Sequence, residues 1–237
     1  MIFFYCPNPV STVHVLDEQE SRHCIKSLRL RKNDQVYITD GQGNLYLTQI
    51  ISDNIKACSL EIIHKIEDYP RLPYHLHIGI APTKNSDRLE WFVEKAVEIG
   101  ISQITALVCE KSERTSIKPD RIERLMIAAI KQSLRTEIPT FTHKIYFNDF
   151  IETTKEMYPQ KFIAYCGDLQ QDVSLLKTVC QPAANTLILI GPEGDFTPNE
   201  VQKAIHCGFT PISLGQFRLR TETAALLACA TVKMVND

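Results

Sequence analysis

The chain has 237 residues, 44% of them hydrophobic and 23% charged, with 26 Lys and Arg set against 28 Asp and Glu for a formal net charge of −2. These proportions favour neither disorder nor a membrane class, and the length fits one large domain or a small domain joined to a medium one. Near-neutral charge means that a nucleic-acid partner has to be held by local basic patches.

No apolar run approaches the roughly 18 residues of a membrane span. The opening Met1-Ile2-Phe3-Phe4-Tyr5-Cys6-Pro7 lacks the basic region and long apolar core of a signal peptide. A cytoplasmic protein with no membrane partner is expected.

Residues 1 to about 64 read as a small β-rich unit with one helix. Asp17 followed by Glu20 is a capping-box pattern that starts this helix. From Ser21 to Asn33 there is no acidic residue, while Arg22, Lys26, Arg29, Arg31 and Lys32 supply cations beside His23. Such a run is either a solvated face or a phosphate-gripping patch. Val36–Asp40 and Leu45–Ile50 are β-rich runs separated by Gly41-Gln42-Gly43-Asn44, a hairpin signal, and Cys58–Ile63 supplies a further strand. The polar stretch Glu67–Pro73 holds two prolines and places a boundary near residue 70, giving domains at 1–70 and 71–237.

Beyond it, apolar strands alternate with amphipathic helices, the pattern of an α/β domain with a mostly parallel sheet. His75–Ile80 is the first strand. Asp87 and Glu90 suggest a second capping box for a helix that carries Leu89, Phe92, Val93, Ala96 and Val97 inward and ends at Gly100. Ile104–Cys109 is a strand, Ile122 to Ser133 a helix, and Lys161–Tyr165, Thr186–Ile190 and Thr210–Leu214 are further strands. Thr197-Pro198-Asn199-Glu200 combines an N-cap, a first-turn proline and a capping glutamate. A last, largely apolar helix begins near Thr221.

Eight cysteines are spread without any Cys-x-x-Cys pair, so reduced, mostly buried thiols are expected. His75 and His77 alternate along a strand and are read as one face of it. No metal is implied.

In an α/β domain ligands sit beyond the carboxyl ends of the strands. Two late loops stand out there: Gly191-Pro192-Glu193-Gly194-Asp195-Phe196, and Gly215-Gln216-Phe217-Arg218-Leu219-Arg220-Thr221-Glu222-Thr223. Glycines after a strand either make a tight turn or let backbone amides approach a ligand at a helix start. Neither a Gly-x-Gly-x-x-Gly fingerprint nor a Gly-Lys-Ser/Thr loop is present, which argues against NAD and ATP.

With Gly-Pro-Glu-Gly at 191–194 and Leu-Arg-Thr-Glu-Thr-Ala at 219–224, the whole chain resembles the RsmE family of 16S ribosomal RNA uracil-N3 methyltransferases, a branch of the SPOUT class. His23–Leu30 with Asp40-Gly41, Lys84–Gly100 and Lys131–Arg135 also carry the resemblance. The resemblance implies an N-terminal PUA-like RNA-binding β-barrel domain, a C-terminal parallel-sheet domain with a trefoil knot, and a homodimer. It also implies S-adenosyl-L-methionine as methyl donor without a metal, and 16S ribosomal RNA of the small subunit, at uracil 1498, as substrate. Asp195 departs from the family, which usually has a second glycine there, and Phe217-Arg218 stands where a basic-then-aliphatic pair is common.

Carried over by motif position, Ile190, Gly191, Glu193, Gly194, Leu214, Gly215, Leu219 and Thr223 are expected to shape the cofactor pocket. Arg220 is expected to orient the uracil or stabilise its anion. Glu222 is either the base that removes the N3 proton or a carboxylate complementing the dipole of the last helix. Arg22, Lys26, Arg29, Arg31 and Lys32 are expected to grip RNA phosphates. Two other readings are a SPOUT enzyme acting on ribose 2′-hydroxyls or transfer RNA, and a non-catalytic assembly factor that binds ribosomal RNA.

Overall fold

The structure, a computed structural model, describes residues 1–7, 9, 12–167 and 173–237. It divides into two compact units, Met1–Arg71 with Ile127–Ile138, and Leu72–Met126 with Pro139–Asp237.

The first unit contains β1 (Phe3–Tyr5), β2 (Val13–Val15), α1 (Glu18–Arg22), β3 (Gln35–Thr39), β4 (Leu45–Ser52) and β5 (Ser59–Ile66). The strands form one five-stranded sheet in the order β1-β3-β4-β5-β2, curled into a half-barrel. Its core is built from Phe4, Leu16, Cys24, Ile25, Val36, Ile38, Ile50, Cys58 and Leu60. Cys24 and Cys58 lie 3.9 Å apart, sulfur to sulfur, and burial pushes the Cys24 thiol up to about 12, so these are packing residues and poor nucleophiles.

Asp17 caps α1 by accepting from the Glu20 amide at 2.8 Å. Glu20 does not reach back to complete a box; its Oε1 instead pairs with Lys131 at 2.6 Å. The β3–β4 hairpin turns where expected. Gly41 and Gly43 have φ of 75° and 97°, and Asp40 Oδ1 accepts from the amides of Gln42 and Asn44 at 2.8 and 3.1 Å.

The second unit contains β6 (Leu76–Ile80), α2 (Ser86–Ile99), β7 (Gln103–Val108), α3 (Pro119–Ser133), β8 (Thr140–Tyr146), α4 (Phe147–Thr154), β9 (Gln160–Ala164), α5 (Leu176–Val179), β10 (Thr186–Ile190), α6 (Pro198–His206), β11 (Thr210–Ile212) and α7 (Thr221–Asn236), with α3 passing into the first unit at Ile127. Six parallel strands run in the order β11-β9-β10-β6-β7-β8.

One sequence expectation is corrected in this unit. The cap of α2 is Asn85, whose side chain accepts from the Asp87 amide at 3.0 Å; Asp87 lies inside the first turn, and Glu90 pairs with Arg121 at 2.6 Å. Strand β6 is buried along its whole length because it is central and covered on both faces, and His77 lies buried within it. Its ring nitrogens meet Tyr158 Oη and Thr105 Oγ1, each at 2.8 Å, and burial, helped by neighbouring His75, pushes its pKa down to about 3. A neutral imidazole bonded at both nitrogens is a core strut.

Candidate functional site

The chain winds from β6 through β7 to β8 in one direction, and β9, β10 and β11 occupy the other side of β6. The order therefore reverses between β10 and β6. At such a switch point the loops leaving the two strands diverge to opposite faces and open a crevice beyond their carboxyl ends. Here those loops are residues 81–85 and 191–197.

They are tied together by specific bonds. Ala81 N donates to Ile190 O at 3.0 Å, and Lys84 N donates to Glu193 Oε1 at 2.9 Å. Lys111 Nζ reaches Gly194 O at 2.8 Å. The loop after β11 joins them from the other side: Arg218 Nη2 donates to Glu193 O at 2.9 Å, and Thr221 Oγ1 donates to Gly191 O at 3.1 Å. The Gly-Pro-Glu-Gly and Leu-Arg-Thr-Glu-Thr-Ala segments, far apart in sequence, thus form one constellation.

The departure at Asp195 has a local explanation. Its φ is 60°, a left-handed conformation that glycine adopts freely and that aspartate tolerates better than most residues. The Asp195 carboxylate also accepts from the amides of Phe196 and Cys166 at 2.8 and 3.0 Å, which offsets the strain. Gly215 has φ of 143°, and a Cβ built there would meet nothing within 4 Å, so its backbone borders open space that a ligand can approach. Gly191 is hemmed in instead, with Phe196 at 3.1 Å from such a Cβ.

Next to this constellation lies a cavity of about 570 Å³ lined by Asp87, Arg88, Trp91, Arg218, Leu219, Arg220, Glu222 and Thr223. Arg220 is the N-cap residue of α7 and makes no side-chain capping bond. Glu222 is only 6% exposed. Its Oε1 stands 3.8 Å from Arg88 Nε, and its buried Oε2 has no hydrogen-bond partner among the described residues. A buried carboxylate oxygen left unpaired is costly, and a ligand that completes it would offset that cost.

Of the residues expected at the site, Leu219, Arg220, Glu222 and Thr223 share this cavity. Ile190, Gly191, Glu193, Gly194, Leu214 and Gly215 are off its lining, in the bonded loops and at their strand ends. Arg22, Lys26, Arg29, Arg31 and Lys32 belong to the first unit, where all five are exposed.

The basic segment has an unusual backbone. His23–Ser27 is a π-helical turn, Leu28 N donating to His23 O at 3.0 Å, and Arg29 and Asn33 have φ of 59° and 78°. Irregular turns of this kind concentrate at functional segments. Arg22 is engaged by Glu18 at 2.9 Å.

Arg88 and Trp91 were not among the residues expected at the site, although both lie in the Lys84–Gly100 segment that carries the family resemblance. The signal available was position: both follow β6, a strand beside the switch point. Among the described residues no group of three or more His, Cys, Asp or Glu is arranged to hold a metal ion.

Comparison with known proteins agrees with this geometry. Residues 70–233 match the family described as RNA methyltransferase domain, and residues 16–63 match the RNA methyltransferase PUA domain. A ribosomal RNA small subunit methyltransferase E from Buchnera aphidicola is 31% identical over 221 residues, covering 90% of this chain and 85% of the relative. The chain belongs to the ribosomal RNA small subunit methyltransferase E family.

Two solved structures extend the likeness over the full length. A probable rRNA methyltransferase from Porphyromonas gingivalis is 36% identical with a TM-score of 0.92, covering 100% of this chain and 98% of that one. A family member from Neisseria gonorrhoeae, bound to S-adenosyl methionine, is 25% identical with a TM-score of 0.85 at the same coverage.

Proposed function

We propose that this protein transfers a methyl group from S-adenosylmethionine to N3 of a uridine in 16S ribosomal RNA, uracil 1498 being the target the family resemblance implies. The observation that carries this reading is the buried Glu222 Oε2, without a partner among the described residues, on a residue that lines one cavity with Arg88 and Arg220.

Uracil's pairing edge presents two carbonyl acceptors on either side of the N3–H donor. A carboxylate oxygen with guanidinium donors on the same wall is its chemical complement. Cytosine, with a lone pair at N3, would meet the carboxylate unfavourably. Because N3 carries a proton at neutral pH, attack requires a group to receive that proton and a charge to stabilise the anion left behind. We assign the first task to Glu222 and the second to Arg220. The target base must leave its stack to enter.

The residues fit the cofactor. The open backbone at Gly215 and the cross-bonded loop 191–194 offer a cradle at the switch point, with Ile190, Leu214, Leu219 and Thr223 as its remaining wall. When bound, S-adenosylmethionine supplies an electrophilic methyl on a positively charged sulfur, chemistry that needs no metal. The chain's own contribution is alignment and charge placement.

The first unit is assigned the RNA-gripping role, in the cytoplasm, through Arg22, Lys26, Arg29, Arg31 and Lys32. Family membership also supports a trefoil knot in the second unit and a homodimer. Leu227 and Met234 of α7, 39% and 77% exposed, are apolar surface that a second copy would cover.

Mass-spectrometric mapping of 16S RNA from cells lacking this protein tests the reaction: one N3-methyluridine is expected to disappear, and an unchanged methylation map would refute it. For the basic segment, neutralising Arg29, Arg31 and Lys32 together is expected to lower the salt dependence of RNA binding by roughly three log–log units at most, with cofactor affinity unchanged. An unaltered slope removes the segment from the interface.

A further inference from the structure

Trp91 is the one tryptophan of the chain, and it lies 44% exposed on a helix whose neighbouring Leu89, Phe92 and Val93 are buried. An indole left in water forfeits a large apolar burial, and exposed aromatic surface in a cavity is typical of a ligand face. Trp91 is three residues beyond Arg88 and four beyond Asp87, so the three share one face of α2 and line the same cavity as Arg220 and Glu222.

That cavity carries two kinds of surface. Arg88, Arg220 and Glu222, whose buried Oε2 lacks a partner among the described residues, are polar lining residues suited to the edge of a planar heterocycle. Trp91 offers a π-face suited to the flat side of the same ring. A nucleobase has both, with apolar faces and a polar rim, whereas a phosphate or an aliphatic chain uses only one.

We propose that Trp91 is the stacking platform for the extruded uracil, holding the ring by its face while Glu222 and the arginines read its edge. This rests on the methyl-transfer reading above and adds to it the residue that supplies base affinity. Stacking on an aromatic is sequence-tolerant, so Trp91 gives affinity for any flipped base, and discrimination stays with the polar edge. The adenine of the cofactor is the other planar ring available, and the experiment separates the two.

Since Trp91 is the sole tryptophan, fluorescence excited at wavelengths the eight tyrosines do not absorb reports on this one side chain. Short oligouridylate is expected to quench it, whereas S-adenosylmethionine alone leaves emission unchanged. Trp91→Ala should raise KM for substrate RNA roughly five- to 150-fold, with kcat altered far less and cofactor affinity unchanged. Trp91→Phe should restore most of the loss.

Quenching by S-adenosylmethionine alone would assign the indole to the cofactor's adenine and overturn the proposal. So would an emission shift that follows protein concentration, which would place Trp91 under a second copy of the chain. RNA methylation with no quenching by oligouridylate and an unchanged KM in Trp91→Ala sinks the platform while the reaction stands. Quenching without methylation of any RNA keeps the platform and sinks the reaction.

Discussion

Two helix starts in the second unit each bury a glutamate, and the two glutamates live differently. Glu200, in the first turn of α6, is 2% exposed and fully engaged: Oε1 accepts from the Glu110 amide at 2.9 Å, and Oε2 accepts from the Thr197 amide at 2.8 Å within a complete capping box. Glu222, in the first turn of α7, is 6% exposed, holds only a 3.8 Å approach to Arg88, and leaves Oε2 without a partner. Both carboxylates complement a helix dipole. Burial alone therefore does not distinguish the two glutamates; the unpartnered Oε2 of a residue that lines a cavity does.

The comparison breaks first, if it is wrong, in turnover. Arg220→Ala is expected to slow single-turnover methylation by about 10²–10³, the usual cost of losing a charge-stabilising donor. Glu222→Gln should slow it less at neutral pH and recover more as pH rises, because external base can take the N3 proton whereas nothing in solution replaces the guanidinium. A pH series at saturating RNA and cofactor checks this; parallel responses of the two variants would return Glu222 to a dipole-complementing role.

A smaller effect sharpens the contrast from the other side. Glu200→Ala is expected to destabilise the fold by about 1–3 kcal/mol, since it removes the capping box and strands the Glu110 and Thr197 amides. Denaturant titration reads that loss, and kcat of the folded fraction should be nearly unchanged. Smallest of all, Glu222→Gln should change unfolding free energy by no more than about 0.5 kcal/mol, because the carboxylate's missing partner means little bonding is lost. A large destabilisation there would make both glutamates structural.

Much of this was legible beforehand. Thr197-Pro198-Asn199-Glu200 announces its helix because cap, proline and glutamate act within four residues, and Thr186–Ile190 is continuous apolar sequence in a doubly covered strand. The start of α7 at Thr221 was equally plain. Other features depend on distant partners. Strands β1 and β2 have three residues each, too few to show a period, and β8 has few buried residues at the sheet edge. Helix α4 follows β8 directly, Phe147 after Tyr146, with no turn residue between them. Arg88 and Trp91 join the site because α2 packs against α7, a pairing that no local pattern encodes.

The discontinuous make-up of the first unit has a consequence for synthesis. Thr136 O accepts from both Thr39 Oγ1 and Gly43 N at 3.1 and 2.9 Å, Ile138 N donates to Gly41 O at 2.8 Å, and Tyr69 Oη donates to Leu134 O at 2.8 Å. A ribosome making this chain releases the whole half-barrel well before the residues that fasten its hairpin. Domains tend to complete as units in order of emergence. Here the earlier-made unit waits on a stretch embedded in the later one, so the nascent half-barrel keeps the β3–β4 turn unfastened while β6, α2 and β7 are being made. Cutting the gene at the apparent boundary near residue 70 yields a fragment that lacks its own clasp.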